Sequence, residues 1–232
     1  MSLVVPAVLP ASKRELEERL RLLGNLLPVA RIQIDVVDGQ LAAPASWPYT
    51  APEEIQTMVG RSEMLPSLDR LEYEIDLMCF DAVGGAESWL ALGATRLTFH
   101  PESSADLPKY FAEARNRLGR FITFGLALNL DSSLALVRHC ADELGYVQFM
   151  GIAHIGRQGE AFDERVFEKV KTFRQMYPDV PVQVDGGVSL TNAIKLVSLG
   201  VTNLVVGSSI LKADDPLVAV EKFEALQRSF GV

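Results

Sequence analysis

An α/β chain closed into a single-domain (β/α)8 barrel, the TIM-barrel architecture, is the fold class the sequence predicts, on three observations. Short runs rich in β-branched residues alternate with amphipathic stretches, there are eight such runs, and the 232 residues lie close to the ~250 typical of that barrel. Strands separated by helices and apolar along their length imply a parallel sheet covered by helices. An open doubly wound sheet is the alternative, but no G-x-G-x-x-G follows the first strand.

The strand candidates run in order LVVPAVL (3–9), RIQIDVV (31–37), LEYEIDLM (71–78), TRLTFH (95–100), FITFGLAL (121–128), YVQFMGIA (146–153), VPVQVDG (180–186) and TNLVVGS (202–208). Helical stretches between them, such as ASKRELEERLRLLG, SADLPKYFAEARNRLG, DERVFEKVKTFRQMY and SLTNAIKLVSLG, carry apolar residues at three and four spacing. Gly24, Gly93, Gly119, Gly145 and Gly200 stand where a helix C-cap calls for glycine. No linker, low-complexity tract or internal repeat divides the chain, so residues 1–232 form one expected domain.

A net charge of −8 argues against a nucleic-acid surface, which needs clustered Lys and Arg. No stretch approaches the roughly 20 uninterrupted apolar residues of a membrane span, and Pro6 and Pro10 interrupt a start that lacks a basic region. Cys79 and Cys140 sit in apolar stretches without metal-ligand spacing and read as reduced core residues. A cytoplasmic protein is expected.

Active sites of such barrels lie at the C-terminal ends of the strands and in the loops that follow. That rule collects Asp35 and Asp38, Asp76 and Asp81, His100 and Glu102, Asn129, His154 and Arg157, and Asp185 at one mouth. Asp38 before Gly39 reads as a turn pair. Asp81 and Asp131 read as helix N-caps, and His100 before Pro101 reads equally as a core or a site histidine. Asp35, Asp76 and Asp185 differ, because an ionised carboxylate inside an apolar strand is costly unless paired or bound to a cation. The late loops VDGGVS and VVGSSI place Gly186, Gly187, Gly207 and Ser208 before helix starts, where backbone N–H groups suit a phosphate. GRQGEAF adds Gly156, Gly159 and Arg157, whose guanidinium can grip an oxyanion in bidentate fashion.

The order of these motifs resembles the ribulose-phosphate 3-epimerase family: IDVVDGQL on the second strand, IDLMCFD on the third, LTFHPES on the fourth, GLALNLDSSL on the fifth, GEAFDERV after the sixth, then VQVDGGVSLTNA and VVGSSILKADDP. The resemblance implies a phosphorylated sugar as ligand and Asp35 and Asp185 as the acid/base pair that exchanges the proton beside a ketone through an enediolate. It also implies a homo-oligomer. Met78 and Met150 keep the family identities. Gln33 and Asp76 stand where the family carries metal-binding histidines, Ala7 where it carries a serine, and Val37 where it carries a methionine. His100 and His154 complete the expected lining.

If a divalent metal is held by Asp35, Asp76 and Asp185, the oxygen donors suit magnesium or manganese rather than zinc or iron. The alternative is no metal, with Asp76 facing another polar group. Two further readings compete with an epimerase. A related phosphosugar lyase would need a lysine where Met78 stands, and all seven lysines map to helices or their edges. A non-catalytic barrel that binds a phosphometabolite is the other.

Overall fold

In the computed structural model, which describes residues 2–26 and 28–230, eight parallel strands close on themselves in sequence order. They are β1 (Val4–Val8), β2 (Arg31–Val37), β3 (Glu72–Met78), β4 (Arg96–Phe99), β5 (Thr123–Leu128), β6 (Leu144–Met150), β7 (Val182–Asp185) and β8 (Asn203–Val206). The helices are α1 (Lys13–Gly24), α2 (Pro52–Gly60), α3 (Ala82–Ala91), α4 (Leu107–Leu118), α5 (Ala135–Arg138), α6 (Arg165–Met176), α7 (Leu190–Ser198), α8 (Ser208–Leu211) and α9 (Pro216–Phe230). Each expected strand contains one of the observed strands, apart from β6, which begins two residues earlier. Among the described residues no helix is long and apolar enough to cross a membrane.

Local chemistry explains the helix ends. Ser12 caps α1 by accepting from the Glu15 N–H at 3.2 Å, and Asp81 caps α3 through Gly84 N–H at 3.0 Å, as expected. Asp131 does not cap α5: Leu134 holds that position, and Asp131 pairs with Arg165 at 3.3 Å. The fifth connection forms a short turn of α-helix that starts three residues later than its polar residues suggest, followed by a 3-10 turn at Ala141–Glu143. Gly93, Gly119 and Gly200 follow their helices with φ of 102°, 95° and 85°, the left-handed conformation that favours glycine. Gly24 is the last residue of α1 with Asn25 as its cap. Gly145 belongs to β6, where a Cβ would come within 2.4 Å of the Thr123 methyl; packing, not helix termination, requires glycine there.

The strands bury two different faces. Ile32, Ile34 and Val36 of β2, with Tyr73, Ile75 and Leu77 of β3, belong to the apolar layer beneath the helices. Trp47 and Trp89 meet edge to face there at 5.6 Å, and Phe99 packs against Phe111 and Phe124. Alternate residues on several strands are polar and buried, among them Gln33 on β2, Glu74 on β3, Thr98 on β4, Gln148 on β6 and Gln183 on β7. Register places Gln33 opposite Glu74 and Gln148 opposite Gln183; two residues on, it places Asp35 opposite Asp76 and Met150 opposite Asp185. The period of two stacks an amide layer under a carboxylate layer. Cys79 and Cys140 are buried and unpaired, and burial pushes their thiols up to about 12 and about 11, which leaves them inert.

Candidate active site

Asp35, Asp76 and Asp185 converge at the C-terminal ends of β2, β3 and β7, with carboxylate oxygens from all three within 4.8 Å of one another. Gln33 Nε2 bridges two of them, donating to Asp35 Oδ1 at 2.8 Å and to Asp185 Oδ2 at 2.9 Å. Asp76 is held from two sides, by His100 Nε2 at 2.8 Å from Oδ1 and by Gln148 Nε2 at 2.9 Å from Oδ2. Gln148 Nε2 also lies 3.4 Å from Asp185 Oδ2.

These contacts set the protonation of the site. Burial, reinforced by Asp185 and then Asp76, lifts Asp35 well above the ordinary aspartate value. Burial, followed by the charge of Asp76, pushes Asp185 up to about 7, against the lowering bond from Gln33. Burial alone would lower His100, but the adjoining Asp76 outweighs it and the imidazole ends up raised, as an ion pair requires. Both carboxyls of the pair are thus pushed up by burial and by neighbouring carboxylates, Asp35 well above the ordinary range and Asp185 to about 7, which favours an arrangement with one carboxyl as acid and the other as base.

The small cavity above the pair, of about 50 Å³, is lined by Asp35, Asp185, Met78 and Met150. Its far side is Gly186, Gly187, Gly207 and Ser208, and it is roofed by the loop Gly156 to Gly159. Gly187 has φ of +65°, and a Cβ on it would come within 2.8 Å of the Phe162 backbone; only glycine lets the two chains approach so closely. Gly156 and Gly159 are also left-handed, at +79° and +84°. Arg157 is exposed and donates to the Ala43 carbonyl at 3.2 Å.

Of the sequence-selected residues, His100 stands behind Asp76 rather than on the cavity wall. His154 lies apart from the cavity: its ring is 70% exposed and meets Glu160 at 3.1 Å. Asp38 shapes its turn, accepting from the N–H groups of Gln40 and Leu41 at 2.7 Å each and of Phe80 at 3.0 Å. Glu74, Gln148, Gln183 and Gln158 escaped sequence reasoning. The first three carry a legible signal, a polar residue two positions before Asp76, Met150 or Asp185, as Gln33 precedes Asp35.

The donor set bears on a metal. Three carboxylates at this spacing resemble the oxygen ligands of one hard cation. Asp35 Oδ1 and Asp185 Oδ2, however, already accept from the Gln33 amide, and both oxygens of Asp76 are engaged. Gln33 could offer its own oxygen only by turning over its amide. Gln183 Nε2, 3.2 Å from Gln33 Oε1, opposes that turn. The residues as arranged do not fit a cation.

Fold and site thus define a barrel with paired buried carboxylates at its C-terminal mouth and a glycine-lined cavity beside them. The chain belongs to the ribulose-phosphate 3-epimerase family, whose model matches residues 3–211. It is 24% identical to the chloroplastic ribulose-5-phosphate-3-epimerase of Arabidopsis thaliana, over 99% of this chain and 79% of that one. It is 26% identical to the ribulose-phosphate 3-epimerase of Helicobacter pylori, over 98% and 99% of the two chains. Among solved structures, a sugar-phosphate-bound KGPDC from Streptococcus mutans has the same fold at 17% identity and a TM-score of 0.72, over 99% of this chain and 98% of that one.

Proposed function

We propose that the protein is a phosphosugar epimerase or isomerase that acts on a ketose phosphate, with ribulose 5-phosphate as the first substrate to test. The observation that carries this reading is the pair Asp35 and Asp185, bridged by one Gln33 amide nitrogen and both raised above the ordinary aspartate value by burial. The ionised member, Asp185, takes the proton from the carbon beside the ketone. The C–H electron pair moves into an enediolate, and Asp35 returns a proton to the opposite face of that carbon. The reverse reaction exchanges the roles. Met78 and Met150 wall the reacting carbon from water.

Gly186, Gly187, Gly207 and Ser208 provide a backbone cradle for the phosphate, and the Gly156 to Gly159 loop with Arg157 closes over it. The family's known members support the same substrate class. This reading carries with it a cytoplasmic homo-oligomer working in pentose phosphate interconversion; light scattering on the purified protein tests the assembly.

Incubation with ribulose 5-phosphate in deuterated water, followed by NMR, tests the reaction. Deuterium at the carbon beside the ketone, lost in Asp185→Asn, is the expected result. No exchange across a panel of ketose phosphates, together with thermal stabilisation by them, would instead establish a non-catalytic phosphometabolite-binding barrel. The lyase alternative loses ground at Met78: a thioether lines the cavity where that chemistry needs an ammonium, and among the described residues no lysine does. A magnesium or manganese ion held by Asp35, Asp76 and Asp185 is the reading opposed by the amide N–H groups that already contact these carboxylates, and metal analysis of the untreated protein tests it.

A further inference from the structure

Beneath the three carboxylates, four buried polar residues from four strands form one connected hydrogen-bonded layer. Gln183 is its hub. Its Nε2 donates to Glu74 Oε1 in a very close contact, to Gln148 Oε1 at 2.8 Å and, more weakly, to Gln33 Oε1 at 3.2 Å. Glu74 is in turn fixed from below, by Arg96 Nε at 2.9 Å and Arg31 at 3.7 Å, and Thr98 Oγ1 lies 3.4 Å away. All four residues are at most 1% exposed.

The direction of every bond in this layer follows from its two ends. A carboxylate held by guanidinium groups accepts only, so the Gln183 nitrogen must face Glu74. That nitrogen then faces the oxygens of Gln148 and Gln33, and their nitrogens must point upward. There they meet Asp76, Asp35 and Asp185, which again accept. Turning over Gln183 or Gln148 would set its oxygen against a carboxylate oxygen, and turning over Gln33 would set its NH2 against that of Gln183. The cost of this order is visible at Gln183 Oε1, a buried acceptor with no partner among the described residues.

We infer that Glu74, Gln183, Gln148 and Gln33 form a one-way amide relay that holds Asp35 and Asp185 in register for proton exchange and occupies the oxygens a cation would need. A cation bridging Asp35 Oδ1 and Asp185 Oδ2 would have to displace the Gln33 N–H group that lies 2.8 and 2.9 Å from them, whereas that group as it stands orients both carboxyls. The four are positioning residues: none of them lines the cavity. Only the kinetic part of this inference rests on the proposed epimerase reaction.

The test combines metal analysis, side-chain amide NMR and kinetics on the full-length protein as purified. Wild type is expected to hold less than stoichiometric divalent metal, to keep its exchange activity in chelator, and to fail to bind added Mn²⁺ tightly by calorimetry. The Gln33 amide protons should be shifted downfield and exchange slowly with solvent. Gln183→Met removes the hub and leaves the arginine pairs of Glu74 intact; it should lower kcat by about 10- to 100-fold with KM unchanged, because the phosphate cradle is untouched. Glu74→Gln should lower kcat likewise and speed exchange of the Gln33 amide protons; if it fails to fold, Gln183→Met carries the test.

Stoichiometric metal with chelator-sensitive turnover would overturn the relay, as would a Gln183→Met enzyme of normal kcat. A wild type with no turnover but with the protected Gln33 amide, lost in Gln183→Met, would overturn the proposed reaction and uphold the relay.

Discussion

Replacing Asp185 with asparagine should make the protein more stable and inactive, and the gain should depend on pH. In the folded chain the carboxyl sits at about 7, against an ordinary 3.8. At 1.36 kcal/mol for each pH unit, keeping it ionised inside the barrel costs about 4 kcal/mol once the pH exceeds the folded value. The sign follows from proton uptake. Below the unfolded value both states are protonated and there is no penalty; between about 4 and 7 the folded state holds the extra proton, so wild-type stability falls as pH rises. Above about 7 the full penalty is present.

Asparagine keeps a carbonyl for the donors of Gln33 and Gln148 but sets an NH2 where the second oxygen stood. We therefore expect about half the gain, ~2 kcal/mol at pH 8, to survive the change in polar partners. For a chain of this size that is a rise in Tm of about 4 to 8 °C. Thermal melts of both proteins from pH 5 to pH 8 measure it, the gap widening with pH. A variant less stable than wild type at pH 8, or a gap constant across the range, would refute the assignment of a raised, proton-holding Asp185.

Other consequences follow from the same geometry. The rate of proton exchange should rise as pH climbs through about 7, where Asp185 becomes the ionised base while Asp35 is held well above the ordinary value as the acid, and a pH profile of kcat/KM reads it. Gly187→Ala forces a Cβ within 2.8 Å of the Phe162 backbone at a left-handed φ, so KM for a phosphosugar should rise and the Tm fall, by steady-state kinetics and melting. Asp38→Ala removes the acceptor of three backbone N–H groups, and urea unfolding should show a loss of about 1 to 3 kcal/mol. Lys169 donates to the carbonyls of Asn129, Leu130 and Ser132, and burial pushes its ammonium down to about 8. Lys169→Met should destabilise the protein by about 1 to 3 kcal/mol, measured in the same unfolding assay.

The barrel was legible because its signal is repeated and local. Each strand is a short β-branched run followed by a helical period, and a parallel sheet under helices follows whatever the loops do. Single residues read less well when one residue type serves two purposes. Gly145 looks like a helix stop and Asp131 like a cap, yet the first is required by Thr123 across β5 and the second holds Arg165. The carboxylates of β2, β3 and β7 could be read because charge in a buried strand is costly wherever it falls.

Their supports were spelled out too, as Gln33 before Asp35, Glu74 before Asp76, Gln148 before Met150 and Gln183 before Asp185, but an uncharged amide raises no such alarm. What no stretch of sequence contains is the direction of those amides. It is imposed by Glu74 on Gln183, 109 residues away in the chain, and passed from there to Gln33. Read residue by residue, Gln33 and Asp76 suggest a lost or hardened metal site. Once the barrel closes, the same residues belong to one hydrogen-bonded layer, and an amide on β2 donates to the two carboxylates that a cation would otherwise bridge.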